Sequence, residues 1–100
     1  MTKVNLSKHG FTVKGHSSAD ANDETGRLVC ASISSAAYLV ANTITDVYGD
    51  KAHIEIDDGK MIVEIACVST QTANLLKGFE VHVRQLSEQY PNCIKVYSEV

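Results

Sequence analysis

Apolar residues along this chain follow two different spacings. Segments with one spacing follow segments with the other, and this order limits the folds that the chain can adopt. In two long segments apolar residues recur at every third or fourth position, which predicts amphipathic helices. In shorter runs apolar and polar residues alternate, which predicts strands with one buried face. A chain of 100 residues with both patterns is expected to form one domain, residues 1–100, in which helices pack on a sheet.

The two helical segments have plausible ends. The first apolar stripe comprises Leu28, Val29, Ile33, Ala36, Ala37, Val40, Ile44 and Val47. It stops at Tyr48-Gly49, where glycine is typical of a helix C-cap. The second stripe comprises Leu75, Leu76, Phe79, Val83, Leu86 and Tyr90. Ser69-Thr70 offers cap residues before it, and Pro91 predicts its end.

Five runs are predicted as strands. They are Thr2 to Leu6, Phe11 to Lys14, His53 to Asp57, Lys60 to Ile65 and Cys93 to Tyr97. Asp58-Gly59 predicts a hairpin turn between the third and fourth, and His9-Gly10 predicts a turn between the first two. The order is β-β-α-β-β-α-β. We therefore expect an α+β fold with a small, largely antiparallel sheet and two helices.

Charge and composition restrict the function classes. The net charge of −3 argues against direct binding to nucleic acid, whose phosphates attract basic surfaces. No run of about 18 apolar residues is evident, so no membrane span is expected. Residues 1–5 lack the apolar core of a signal peptide, which predicts a cytoplasmic location. The three cysteines form no C-x-x-C pair, which favours reduced thiols over a disulfide framework.

The segment between the second strand and the first helix could carry chemistry. His16 follows the predicted strand end, and Cys30 lies where the first helix is predicted to begin. Free N–H groups and the helix dipole at such a position favour a thiolate. A histidine within reach of the sulfur could take its proton and return it to a leaving amine. The alternative interpretation is that Cys30 is a small core residue, and periodicity alone favours that alternative.

Several short motifs together resemble one family. They are Gly15-His16, Val29-Cys30-Ala31-Ser32-Ile33-Ser34, Asn42 and Ser87-Glu88-Gln89-Tyr90-Pro91. In this order the motifs resemble the ribosomal-processing cysteine proteases of the Prp family, whose pattern has a G-H-A element, then D-I-V-C-A-A-V-S, then E-Q-Y-P. The resemblance runs over nearly the whole chain.

The resemblance implies a specific activity. Members of the family are bacterial endopeptidases that remove an N-terminal extension from ribosomal protein twenty-seven of the large subunit, usually after an aromatic residue. It implies His16 as general base and acid, Cys30 as nucleophile and an apolar pocket beside it. It also implies an α+β fold, a ribosomal protein precursor as partner, and a homodimer. Ser34 matches a serine of the motif and is one helical turn from Cys30, where it could support the site.

The sequence also departs from the family pattern. Arg27 replaces the aspartate three residues before the cysteine, and Ser17 follows the histidine where alanine is usual. A positive charge at Arg27 could favour ionised sulfur. The loop before Cys30 is longer than usual, and its acids, Asp20, Asp23 and Glu24, suit a basic substrate or a plain solvated loop equally well.

Two other functions are compatible with the sequence. A non-catalytic homologue could bind the ribosomal extension without cutting it, and a structural dimeric domain could carry a cysteine by chance. The leucines of the second helical stripe make that helix the candidate dimer contact. No cofactor is expected, nor is a metal site, since His9, His53 and His82 lack ligand spacing to Cys67 or Cys93.

Overall fold

The computed structural model describes residues 1–15 and 24–98. Its strands are β1 (Thr2–Ser7), β2 (Gly10–Lys14), β3 (Ala52–Asp57), β4 (Lys60–Ile65) and β5 (Ile94–Ser98). Its helices are α1 (Glu24–Asn42), which continues into a π-helical segment (Thr43–Val47), and α2 (Thr70–Gln89). The predicted order β-β-α-β-β-α-β and the α+β class are confirmed.

The strands form one sheet in the order β3-β4-β2-β1-β5. The pairs β1–β2 and β3–β4 are antiparallel, as the two hairpins predict, and β2 also pairs antiparallel with β4. The pair β1–β5 is parallel, because α2 carries the chain back across the sheet before β5 begins. The sheet is therefore mixed and largely antiparallel.

A glycine lies in one hairpin turn and directly after the other. Asp58-Gly59 connects β3 to β4 as predicted, with Gly59 at a φ of 73°. The first turn lies one residue earlier than predicted, at Lys8-His9, and Gly10 already belongs to β2. A Cβ on Gly10 would lie 1.9 Å from the carbonyl oxygen of Val63, so close pairing with β4 requires glycine there.

Both helices pack against the same face of the sheet. One cluster of buried residues joins α1 and α2 to the inward side chains of the strands. Val29, Ile33 and Ala37 come from α1, and Phe79 and Val83 come from α2. Non-polar surface removed from water drives this packing. The opposite face of the sheet carries no helix in the described part of the chain.

The α1 helix and the π-helical segment form a continuous helix, Glu24–Val47, of 24 residues. An 18-residue window in it has a mean hydropathy of 1.5, so by length and composition alone it could cross a membrane. Polar residues interrupt this helix throughout, so no run of about 18 apolar residues exists, and the expected absence of a membrane span stays a prediction. One face of this helix nevertheless packs in the protein core, as expected of a helix in an α+β domain.

The structure shows the surroundings of Cys67, Cys93 and α2. Cys67 follows β4 in a bend and is exposed, whereas Cys93 is half-buried. Leu75 and Leu76 pack against the core. Their number therefore does not mark α2 as a dimer contact.

Candidate active site

One stripe of α1 lines a cavity beside the sheet. Its members recur at three- and four-residue steps and therefore share a helix face: Cys30, Ile33, Ser34, Ala37 and Tyr38. Cys30 and Ser34 are half-buried, whereas Ile33 and Ala37 reach the core. The sequence prediction that Ser34 shares a face with Cys30 is confirmed, and both line the same cavity.

The sheet supplies the opposite wall. Thr2, Val13 and Met61 line the cavity from β1, β2 and β4, and Ile56 lines it from β3. The hairpin turn between β3 and β4 adds Asp57, Asp58, Gly59 and Lys60. Gly15, just after β2, lies on the same wall and donates its N–H to the carbonyl oxygen of Gly59 at 2.7 Å. This bond ties the end of β2 to the hairpin turn.

The cavity is small, with a volume of about 220 Å³. Sites for drug-sized ligands usually measure about 300–1,000 Å³, so this one suits a single side chain. Val13, Ile33 and Met61 make its walls apolar, and the aspartates of the turn lie at one edge. The expected apolar pocket near Cys30 is therefore present.

The position of Cys30 on α1 differs from the prediction. The helix begins at Glu24, so Cys30 is its seventh residue and lies in the second turn. The influence of the helix N-terminus falls off within the first turn. The argument that free backbone N–H groups make Cys30 a thiolate is therefore wrong, because the polar residues before the apolar stripe also adopt helix.

His16 lies outside the described residues, as do Ser17, Asp20 and Asp23. Gly15, which is bonded to His16, lines the cavity that contains Cys30. Glu24 is exposed in the first turn of α1. Arg27 is also exposed and is not among the described residues that line the cavity.

Sequence reasoning missed the contribution of the β3–β4 hairpin to this site. The Asp58-Gly59 turn is identifiable in the sequence. It lies near α1 only because β4 pairs with β2, which the sequence does not show. Tyr38 also lines the cavity, on the same face of α1 as Cys30. Its spacing of eight residues from Cys30, two turns along the same face, was the available signal.

Metal-ligating side chains do not gather in the part of the chain that the structure describes. No group of three or more histidine, cysteine, aspartate or glutamate residues there could hold a metal ion. The described lining of the cavity offers a thiol, hydroxyls, carboxylates and the amine of Lys60.

Comparison with known proteins identifies a family. Residues 1–95 match the family model described as cysteine protease Prp. A comparison with curated protein sequences finds no match.

Solved structures support the same fold. Staphylococcus aureus Prp, an essential ribosomal processing protease with a covalently linked product peptide, superimposes with a TM-score of 0.87 at 18% identity, covering 99% of this chain and 100% of that one. The same protease with a substrate peptide gives a TM-score of 0.84 at 20% identity, covering 99% and 100%. A Streptococcus mutans protein gives 0.79 at 15% identity, covering 97% and 90%.

Proposed function

Because the chain belongs to the Prp family of cysteine proteases, we propose that it removes the N-terminal extension of ribosomal protein twenty-seven of the large subunit. Cys30 is the proposed nucleophile, and His16 is the proposed general base and acid. The observation that carries the proposal is the shared cavity: Cys30 and Ser34 line it from α1, and Gly15, the neighbour of His16, lines it from the sheet.

The proposed reaction has two steps. The Cys30 sulfur, having given its proton to His16, attacks the carbonyl carbon of the scissile peptide bond, and His16 returns the proton to the departing amine. This step breaks the C–N bond and leaves the N-terminal fragment as a thioester on Cys30. Water then gives a proton to His16 and attacks the thioester carbon. The C–S bond breaks, the sulfur takes the proton back from His16, and the N-terminal fragment leaves as a carboxylic acid that ionises in water.

The walls of the cavity favour a particular substrate side chain. Val13, Ile33 and Met61 provide apolar surface within reach of Cys30, which suits an aromatic or large aliphatic residue before the cleaved bond. Asp57 and Asp58 at the edge favour positive charge further along the peptide, as a basic ribosomal protein provides.

The proposal extends to location and assembly. We propose a cytoplasmic homodimer, on the strength of the family resemblance. Light scattering coupled to size exclusion should give twice the monomer mass of 10.8 kDa. A monomer at micromolar concentration would remove the dimer from the proposal and leave the protease assignment untouched.

A peptide spanning the extension tests the proposed activity. We expect the wild-type protein to make one cut, seen by mass spectrometry, and Cys30→Ala to make none. Cys67→Ala is the matched control, since Cys67 is exposed and is not among the described residues that line the cavity, and it should cut at the wild-type rate. If the wild type binds the peptide and leaves it intact, the chain is a binding homologue and the proposal fails.

A further inference from the structure

Four lysines form a row across the face of the sheet that no described helix covers. The strand registers place Lys95 beside Lys3, Lys3 beside Lys14, and Lys14 beside Lys60. The row therefore crosses β5, β1, β2 and β4 without interruption. At the usual strand spacing of about 4.8 Å, it is about 14 Å long.

Burial shows that the lysines belong to the open face. Along β1 the residues on either side of Lys3, Thr2 and Val4, are buried, whereas Lys3 is exposed. Lys14 and Lys95 are also exposed, and Lys60 is half-buried.

The row has no evident role in stability. Like charges directly opposite each other on neighbouring strands destabilise a sheet. The ion pairs between described residues join His53 to Glu55 and Arg84 to Glu80, and none includes a lysine of the row. Lysines often protect exposed edge strands, but Lys3 and Lys14 are on β1 and β2, which have neighbours on both sides.

Among the described residues, the acids of the open face lie at one side of it. Glu55 and Asp57 are on the edge strand β3, where Asp57 is in register with Lys60 at the end of the row, and Glu64 is at the far end of β4 from Lys60. Glu55 is already engaged, since its Oε1 lies 2.9 Å from Nε2 of His53. β3 is three strands from β1, about 14 Å, which exceeds the Debye length of about 8 Å at physiological salt. A ligand at Lys3 and Lys95 therefore meets local positive charge despite the net charge of −3.

An aromatic ring lies beside the lysine row. Tyr97 is two residues after Lys95 on β5, shares its face and is 48% exposed. Asn5 on β1 is in register with Tyr97, and Thr12 on β2 is in register with Asn5. Both present polar side chains. A positive strip with an exposed ring and polar neighbours combines the two features that bind single-stranded nucleic acids, phosphate contacts and base stacking.

We propose that the open face of the sheet binds single-stranded RNA, with the lysine row on the phosphates and Tyr97 stacked on a base. An acidic peptide has no nucleobase that could stack on the ring of Tyr97. Binding to a lipid surface would need more exposed apolar side chains than this face has. The choice of RNA over DNA rests on the proposed ribosomal function. Gly15 follows Lys14 and Lys60 lines the Cys30 cavity, so the row ends beside the proposed active site.

Two triple variants of equal charge test the proposal. Lys3→Gln/Lys14→Gln/Lys95→Gln removes three lysines of the row, and Lys8→Gln/Lys51→Gln/Lys77→Gln removes three exposed lysines that are not in the row. The probe is a fluorescent 20-nucleotide single-stranded RNA of mixed sequence, read by anisotropy. We expect the row variant to bind at least tenfold more weakly than wild type and the other triple to bind within twofold.

The salt dependence of RNA binding and a substitution of Tyr97 provide two further tests. Four phosphate contacts predict a slope of about −3 for log K against log salt, and the row variant should approach −1. Tyr97→Ala should weaken RNA binding at least fivefold. Tyr90→Ala is the control and should not weaken it, because Tyr90 is an exposed tyrosine at the C-terminal end of α2. Circular dichroism should show that all variants are folded.

Several results would overturn the proposal. They are no RNA binding by the wild type at low salt, equal weakening by the two lysine triples, and binding to phosphatidylserine vesicles in place of RNA. DNA of the same sequence bound as tightly as RNA would overturn the assignment to RNA. Peptide cleavage is assayed separately. If the wild type does not cleave the peptide, that result counts against the proposed protease activity and not against RNA binding.

Discussion

The backbone N–H of Gly15 donates to the carbonyl oxygen of Gly59 at 2.7 Å and joins the end of β2 to the β3–β4 turn. Gly15 has a φ of 87°, and a Cβ there would lie 2.5 Å from the carbonyl oxygen of Met1. Gly15→Ala should therefore strain the backbone by about 1–3 kcal/mol and displace the residue that follows it. We expect peptide cleavage, measured as kcat/KM, to fall about 100-fold.

Gly49→Ala is the matched control for that prediction. Gly49 also has a positive φ, 72°, but no atom lies within 4 Å of the position of an added Cβ. Gly49→Ala should lower the free energy of unfolding by about 1 kcal/mol, measured by thermal or urea unfolding, and leave kcat/KM unchanged. Equal kcat/KM values for the two alanine variants would show that Gly15 does not position the site.

Ser34 lies one turn from Cys30 on the wall of the same cavity. Ser34→Val places two methyl groups beside the sulfur and should lower kcat/KM about tenfold by occupying space for the substrate side chain. Ser35→Val makes the same change at the next, exposed position and controls for the helix propensity of valine. Equal activities of the two valine variants would exclude Ser34 from the substrate pocket.

The sequence predicts local structure well because the signals are local. Asp58-Gly59 demands a tight turn, Ser69 caps α2 by accepting the N–H of Thr72 at 3.1 Å, and the periodicities set each element. The start of α1 was misplaced because residues 24–27 carry no apolar stripe, and their helix extends from the packed segment after them.

The site was only partly predictable for a different reason. Cys30 and Ser34 share a face through helical spacing alone. The approach of the β3–β4 turn, with Asp57 and Asp58, depends on long-range pairing of β4 with β2. The lysine row likewise exists only once the registers of four strands are known, which no local pattern specifies.

The carboxylate of Asp50 links the chain after α1 to the start of α2. It accepts hydrogen bonds from the hydroxyls of Thr72 at 2.6 Å and Ser69 at 2.7 Å, and these bonds hold the pKa of Asp50 below its ordinary value of 3.8. A depressed carboxyl pKa contributes stability above the ordinary value, and this contribution is lost as the pH falls through the folded-state pKa.

Asp50→Asn should therefore lower the Tm at pH 7, because a neutral amide is a weaker acceptor than a carboxylate. The difference in Tm from the wild type should shrink as the pH is taken from 5 to below 3. Thermal unfolding followed by circular dichroism across this range measures it. A difference that is independent of pH would show that the ionised form of Asp50 contributes nothing.

Alkylation rates show whether His16 activates the Cys30 thiol. An unassisted thiol has a pKa of about 8.5 and reacts slowly with iodoacetamide at pH 6. Cys67, which is exposed, serves as the internal reference. We predict that half-buried Cys30 labels at least tenfold faster than Cys67 in the wild type, and that His16→Ala abolishes this advantage. Equal rates in the wild type, or a Cys30 rate unaffected by His16→Ala, would show that His16 does not activate Cys30.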